Sequence, residues 1–179
     1  MKNTKWKRFA RKILLKHPRL TIYEDEVELP NGHKTTYIHH ANGFKAVMVI
    51  AKRGDGKILL QREYSYPTDQ WLYQFPGGGV GDNEDIVAAA NRELAEEGGY
   101  NGSLTSLGNV ILDNRRSDTL HSVFLAVDLV EVQANGDAEE DIESYWLSEE
   151  EIDNLIKNGD IINGSALAGW ALYKANLKQ

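Results

Sequence analysis

Apolar and polar positions along the chain divide it into many short strands and a few helices. Residues 4–16, TKWKRFARKILLK, set Trp6, Phe9, Ile13 and Leu14 at helical spacing among lysines and arginines. That spacing predicts a short amphipathic helix, ended by His17-Pro18. Residues 20–29 and 35–40 alternate instead, are rich in β-branched and aromatic residues, and flank Pro30-Asn31-Gly32, the signature of a hairpin. Residues 44–53 and 57–66 predict two more strands around Gly54-Asp55-Gly56. Their runs AVMVIA and ILL are apolar at every position, so these strands should be buried on both faces. A short strand is expected over 71–75, and two longer ones over 103–112 and 120–132. Near the C-terminus, Ser148 followed by Glu151 predicts a capped helix start. Residues 163–176 predict a last amphipathic helix that turns Leu167, Trp170, Ala171 and Tyr173 inward.

One stretch, residues 75–100, FPGGGVGDNEDIVAAANRELAEEGGY, departs from simple patterning. A glycine cluster opens it, and a helical run closes on Arg92, Glu93, Glu96 and Glu97 before Gly98 and Gly99. At 3.6 residues per turn Glu93 and Glu97 share a face, with Glu96 one step around. Acidic residues near a helix end are usually a solvated face, and Arg92 with Glu96 is an ordinary i,i+4 pair. Two features argue for more. Glutamates in a last turn sit at the unfavourable end of the helix dipole. Glycines ahead of a merely solvated helix have no purpose, whereas they let a backbone approach a metal or phosphate closely. Crowded carboxylates repel unless a cation sits among them, and their oxygens suit a hard divalent ion such as Mg²⁺, or alternatively Mn²⁺.

These residues carry a family resemblance. Gly78, five residues, Glu84, seven residues, Arg92-Glu93-Leu94, one residue, Glu96-Glu97, one residue and Gly99 resemble the Nudix box. The one departure is Tyr100, where the family usually has an aliphatic residue at a packing position. The resemblance implies an α/β fold, the Nudix α/β/α sandwich with a mixed sheet. It also implies Mg²⁺-dependent hydrolysis of a nucleoside diphosphate linked to another group. Glu93, Glu96, Glu97 and the Gly77 carbonyl are then the expected metal ligands, with Glu84 and Arg92 orienting loop and helix.

Upstream, QREYSYP and WLYQFPGGG resemble the ADP-ribose and nucleotide-sugar pyrophosphatase branch, whose members show an R-x-Y-R-like edge and W-x-x-E-x-P-A-G before the box. Arg62, Tyr64, Trp71 and Pro76 match, while Gln74 replaces the usual acid and Gly77 the usual alanine. This likeness makes Arg62 and Tyr64 expected substrate-binding residues. Arg115 and Arg116, in DNRRSDT, are candidates for a phosphate clamp, against the alternative of a solvated loop. The branch usually carries proline there, so nucleotide sugars such as GDP-mannose stay open beside ADP-ribose. EDIESYWLSEEEI resembles the segment after the branch's mobile acidic loop, which supplies a general base near the metals. Glu140 holds the matching position and Glu139 the neighbouring one, for the task of taking a proton from the attacking water.

The branch also implies a homodimer that shares N-terminal strands. On this reading residues 1–43 are a basic helix and hairpin serving dimerisation, and residues 44–179 are the hydrolase domain. Tyr23, Tyr37 and Phe44 are available to stack on a base, although sheet packing explains each singly. The basic helix has two other readings, an anionic membrane surface or a frayed arm. His33, His39 and His40 make a poor metal set, because adjacent strand residues face opposite ways.

Composition narrows the classes. A chain of 179 residues suits one domain with a real core. No cysteine means no disulfide, thiol nucleophile or zinc–thiolate site. Residues 1–19 hold eight basic residues and no acid, leaving the remainder near −15 of a net −7. So acidic a body argues against nucleic-acid partners. Apolar runs are too short for a membrane span, and no apolar stretch follows the basic start, so a cytoplasmic protein is expected. No Gly-Lys-Ser/Thr follows the glycines, which excludes a P-loop. Two rival functions remain: a hydrolase of nucleoside triphosphates or dinucleoside polyphosphates, and a non-catalytic Nudix-fold nucleotide-binding regulator.

Overall fold

Where the sequence predicts a helix, the N-terminal segment forms strand β1 (Lys7–His17). The computed structural model describes residues 5–41, 43–133 and 141–177. β1 pairs antiparallel with β2 (Leu20–Glu28), which pairs antiparallel with β3 (Lys34–His39). The β1–β2 register slips between Arg8 and Ala10 and between Ile13 and Leu15, so Phe9 and Leu14 are extra, bulged residues. Bulges break the period of two. That is why Phe9, Ile13 and Leu14 imitate helical spacing in a strand. Across the sheet, Arg11 lies opposite Asp25 and grips it with two hydrogen bonds, Nε to Oδ1 at 2.7 Å and Nη2 to Oδ2 at 2.8 Å. His39 completes the cluster, its Nε2 2.9 Å from Asp25 Oδ2 while its Nδ1 accepts the Ala41 N–H. His39 thus ties β3 to β2 in this sheet.

The contacts divide the chain into two units, Met1–Phe44 with Ile111–Thr119, and Lys45–Val110 with Leu120–Gln179. The second is built on β4 (Lys45–Ala51), which is buried at every position after Lys45, as its apolar run predicts. Alternate residues enter two cores. Val47, Val49 and Ala51 pack with Leu59, Ala89, Ala90, Leu94 and Phe124. Met48 and Ile50 pack instead with Ile58, Leu60, Phe75, Trp170 and Tyr173. This is the period-two geometry of a strand covered on both sides.

β4 runs parallel to β8 (Leu120–Glu131), and β8 antiparallel to β7 (Tyr100–Val110), which makes a mixed sheet. A second sheet sets β5 (Ile58–Ser65) between β6 (Gln70–Gln74) and β9 (Ile142–Leu147), both antiparallel to it. The sequence pattern does not predict β9.

Helix α1 (Ile86–Glu93) packs on β4 and β7. Helix α2 (Glu149–Asn158) starts with the predicted capping box, in which Ser148 accepts from the Glu151 N–H and the Glu151 side chain returns to the Ser148 N–H. Helix α3 (Gly164–Asn176) covers the opposite core with Ala166, Trp170 and Tyr173. Ala171, expected inside, is exposed; the buried small residues of this helix are Ala166 and Gly169. Among the described residues no helix is long and apolar enough to cross a membrane.

Candidate active site

The acidic helix end is not a regular α-helix. α1 starts cleanly, with Asp85 capping the N–H groups of Val87 and Ala88. After Glu93 the backbone widens into a π-helical turn over Leu94–Gly98, closed by Gly99 in the left-handed conformation at φ 75°. Such turns recur at functional sites, because they re-aim side chains that a straight helix would space evenly. Leu94, fully buried, anchors the turn in the core. Tyr100, the departure from the box, stacks edge-on against Trp146 at 5.5 Å, which is a packing role.

The glycine cluster lies where side chains cannot fit. A Cβ on Gly77 would stand 2.2 Å from the Val47 carbonyl oxygen and 2.9 Å from the Met48 Cα. A Cβ on Gly78 would stand 2.6 Å from Glu93 Oε1. The loop therefore runs tight along β4 on one side and against the Glu93 carboxylate on the other. The Pro76 and Gly78 carbonyls both accept from β4, from Val49 and Val47. In extended backbone the Gly77 carbonyl between them points the other way. The Gly77 N–H donates to Glu97 Oε2 at 3.0 Å, joining loop to helix.

Arg92 is the hub of the helix end. Its Nε and Nη2 form a fork on Glu84, at 2.8 and 3.0 Å, and Nη2 also donates to the Gly79 carbonyl at 2.9 Å. Nη1 donates to Glu93 Oε1 at 2.8 Å and to Glu96 Oε2 at 3.0 Å. One guanidinium thus ties three acids and the glycine loop together. Its hydrogen bonds, with a further one from the Gly81 N–H, hold the Glu84 carboxyl down at about 2. In return Glu84, foremost, raises the Arg92 pKa further above its ordinary value. Glu93 is a buried carboxylate, 8% exposed. A buried charge needs such partners or a cation.

β5 approaches the same turn. Leu59 packs by Gly98, and Gln61, fully buried, donates from Nε2 to the Glu97 carbonyl at 3.1 Å. Sequence reasoning missed Gln61: it opens the QREYSYP segment, but the resemblance there rests on Arg62 and Tyr64. Gln74 and Glu63 share that face of the β5–β6 pair, and Gln74 Nε2 donates to Glu63 Oε2 at 2.6 Å. The acid expected at position 74 thus has a counterpart across the strands at 63.

Arg62 and Tyr64 alternate to the other face of β5, away from Glu97. Arg62 lies over the rings of Trp71 and Tyr73, and Tyr64 donates to Asp69. Arg115 and Arg116 belong to the N-terminal unit. There Tyr37 donates to the Arg115 carbonyl and Arg116 to that of Ile38, beside a cavity of about 420 Å³ lined by Trp6, Tyr37 and Asp118 among others. Glu139 and Glu140 lie outside the described residues.

The NUDIX domain profile matches residues 44–168, well over half of the chain, on the residues just described. The chain belongs to the Nudix family. Its relatives include an ADP-ribose pyrophosphatase of Bacillus subtilis, 27% identical over 184 residues that span 100% of this chain and 97% of the relative. Another is the ADP compounds hydrolase NudE of Escherichia coli, 27% identical over 67% of this chain and 65% of its own length. A crystal structure of an ADP compounds hydrolase superposes with a TM-score of 0.89, covering 98% of this chain and 95% of that one at 23% identity, and shows the shared fold. The chain is a Nudix pyrophosphohydrolase, similar over its whole length to an ADP-ribose pyrophosphatase.

Nudix hydrolases generally use divalent metals, and the donors here suit one. Glu93, Glu96 and Glu97 lie on one short turn, each with two oxygens, and the Gly77 carbonyl turns away from β4 beside them. All are hard oxygen donors. Among the described residues no three acidic or imidazole side chains converge as a finished cage. Arg92 and the Gly77 N–H draw the three carboxylates to themselves.

Proposed function

We propose that this Nudix enzyme hydrolyses the diphosphate of a nucleoside diphosphate sugar, with ADP-ribose or GDP-mannose as candidates. The products are a nucleoside monophosphate and a sugar phosphate. The observation that carries the reading is the shared wiring of Arg92 and the Gly77 N–H to Glu84, Glu93, Glu96 and Glu97, in a chain whose full-length relative is named an ADP-ribose pyrophosphatase.

Glu93, Glu96, Glu97 and the Gly77 carbonyl would hold Mg²⁺, or Mn²⁺ in its place. When bound, the metal neutralises the diphosphate and lowers the pKa of the attacking water. Arg92 and Glu84 keep the glycine loop and the helix end in register. Glu140, or Glu139 beside it, accepts the proton of the attacking water. Arg115 and Arg116 are kept as the candidate phosphate clamp on account of their chemistry. Two copies of the chain associate through the N-terminal sheet. The edge position of β1 and its exposed Phe9, Ile13 and Leu15 support this.

The test is a substrate panel of ADP-ribose, GDP-mannose, GTP and a dinucleoside polyphosphate, run with Mg²⁺ on the wild type, Glu93→Gln and Glu97→Gln. Turnover of the sugar compounds should lead and should fall at least ~100-fold in both variants. Near wild-type turnover in both would remove these carboxylates from the mechanism. A preference for GTP would move the protein to the triphosphate class. Tight sugar-nucleotide binding without any product would make it a regulator. Sedimentation of the wild type beside Phe9→Ser/Ile13→Ser tests the dimer.

A further inference from the structure

Gln61 is 0% exposed, in a stretch of β5 where Ile58, Leu59 and Leu60 are equally buried. Its surroundings ask for an apolar side chain. Instead it carries an amide whose Oε1 has no hydrogen-bond partner among the described residues. An orphaned buried acceptor is destabilising. The amide therefore needs a reason on its other side, and that side is Nε2, which donates to the Glu97 carbonyl at 3.1 Å and, at the longer distance of 3.5 Å, to Ser144 Oγ.

That carbonyl is a special one. It belongs to the last turn of a helix, where carbonyls lack intrahelical donors. The turn is also π-wound, with the Gly99 N–H reaching back to both Ala95 and Leu94. A widened turn is the less stable winding, and it persists only where its surroundings hold it. β5 supplies two successive holds: Leu59 against Gly98, where even a Cβ would come within 3.0 Å, and Gln61 on Glu97. The same residue, Glu97, is fixed at its carboxylate by the Gly77 N–H.

We propose that Gln61 is a positioning residue for Glu97. Its buried amide pins the Glu97 backbone, keeps the turn in its widened form, and so aims the Glu97 carboxylate at the glycine loop. Without the amide the turn can wind back toward a regular helix, which rotates Glu97 relative to Gly77 and Glu93. As a positioning residue, Gln61 acts on the site through Glu97. The inference rests on the reading of Glu97 as a metal ligand.

The experiment measures Mn²⁺ binding by calorimetry, without substrate, in four proteins: wild type, Gln61→Met, Glu97→Gln and the double variant. Methionine keeps the length of the side chain and removes the donor. Residues that orient metal ligands typically affect metal affinity by ~10–100-fold. Gln61→Met should therefore weaken Mn²⁺ by about ten-fold, and should add almost nothing once Glu97 is already Gln, because the two act as one unit. Turnover under saturating metal should show a fall in kcat with little change in KM. Wild-type Mn²⁺ affinity in Gln61→Met would overturn the proposal. So would an equal loss in the presence and absence of the Glu97 carboxylate, which would mean general damage. If Gln61→Met does not fold, Gln61→Leu, apolar like the neighbouring Leu59 and Leu60 and without the donor, takes its place under the same criteria. Equal Mn²⁺ binding by wild type and Glu97→Gln would instead refute the metal-ligand reading itself, and this inference with it. Lost binding in Glu97→Gln with none lost in Gln61→Met would leave that reading intact and refute only the role of Gln61.

Discussion

Glu84 and Arg92, eight residues apart, meet as a two-pronged pair, Nε to Oε1 at 2.8 Å and Nη2 to Oε2 at 3.0 Å. The pair closes the loop between glycines and helix, and the guanidinium's remaining edge aims at Glu93 and Glu96. A lysine cannot reproduce a fork. Arg92→Lys should lower kcat by roughly 10–100-fold, because the acids it orients lose their common partner. Steady-state kinetics at saturating Mg²⁺ checks this.

The same pair has a pH signature. Glu84 is held at about 2, below its ordinary 4.5, so its folded form favours the charged state. The stability it contributes is present above the ordinary value and is lost as pH falls through the folded one. The Tm gap between wild type and Glu84→Gln should stay constant from about pH 8 to 5 and narrow below about pH 4. A gap that widens on acidification would contradict the assignment.

Gly77 and Gly78 should fail in different ways. A Cβ on Gly77 meets fixed backbone, the Val47 carbonyl at 2.2 Å, so Gly77→Ala should cost stability by several kcal/mol. A Cβ on Gly78 meets the far end of a flexible side chain, the Glu93 carboxylate at 2.6 Å. Gly78→Ala should keep nearly the wild-type Tm while turnover drops at least ~10-fold. Thermal denaturation beside kinetics separates the two.

Asp25 anchors the N-terminal sheet. Hydrogen bonds from Arg11, and secondarily His39, hold its carboxyl at about 2 against the opposing effect of burial. Its contribution is present above the ordinary 3.8 and disappears as pH falls through about 2. Asp25→Asn should loosen β1–β3 by roughly 2 kcal/mol at neutral pH. Hydrogen exchange of the β2 and β3 amides reads this locally.

Ser148 and its glutamates test the opposite expectation. The capping box accounts for Ser148 and Glu151, and Glu149 is engaged by Lys52, Lys174 and Tyr173. Ser148→Ala should cost about 1 kcal/mol of stability and leave kcat unchanged. A large loss of turnover would bring this acidic cluster into the chemistry.

The Nudix box is legible in the amino-acid sequence because its chemistry is local: glycines, an arginine and four glutamates within about two dozen residues. The strands of the buried core are legible for a similar reason, since a strand covered on both faces must be apolar throughout. β1 is not, because its two bulges give a strand the apolar spacing of a helix. Gln61, the first residue of QREYSYP, carries no signal of its burial either. Its partner, the Glu97 carbonyl, is a backbone atom 36 residues away, and backbone atoms leave no mark in side-chain patterns.

The sequence by itself determined the residue types of the acidic turn and the glycines that let the loop approach it, and its resemblance to the Nudix box implied the α/β class. The residue types and their spacing are local, and the chain states them openly. Only the tertiary structure decided that the helix ends in a π turn, that Arg62 and Tyr64 face away from Glu97, and that the Gln74 amide meets its acid at Glu63. These outcomes depend on register between strands and on which face of a strand meets which helix. A shift of one residue reverses every facing, and no local pattern can record that choice.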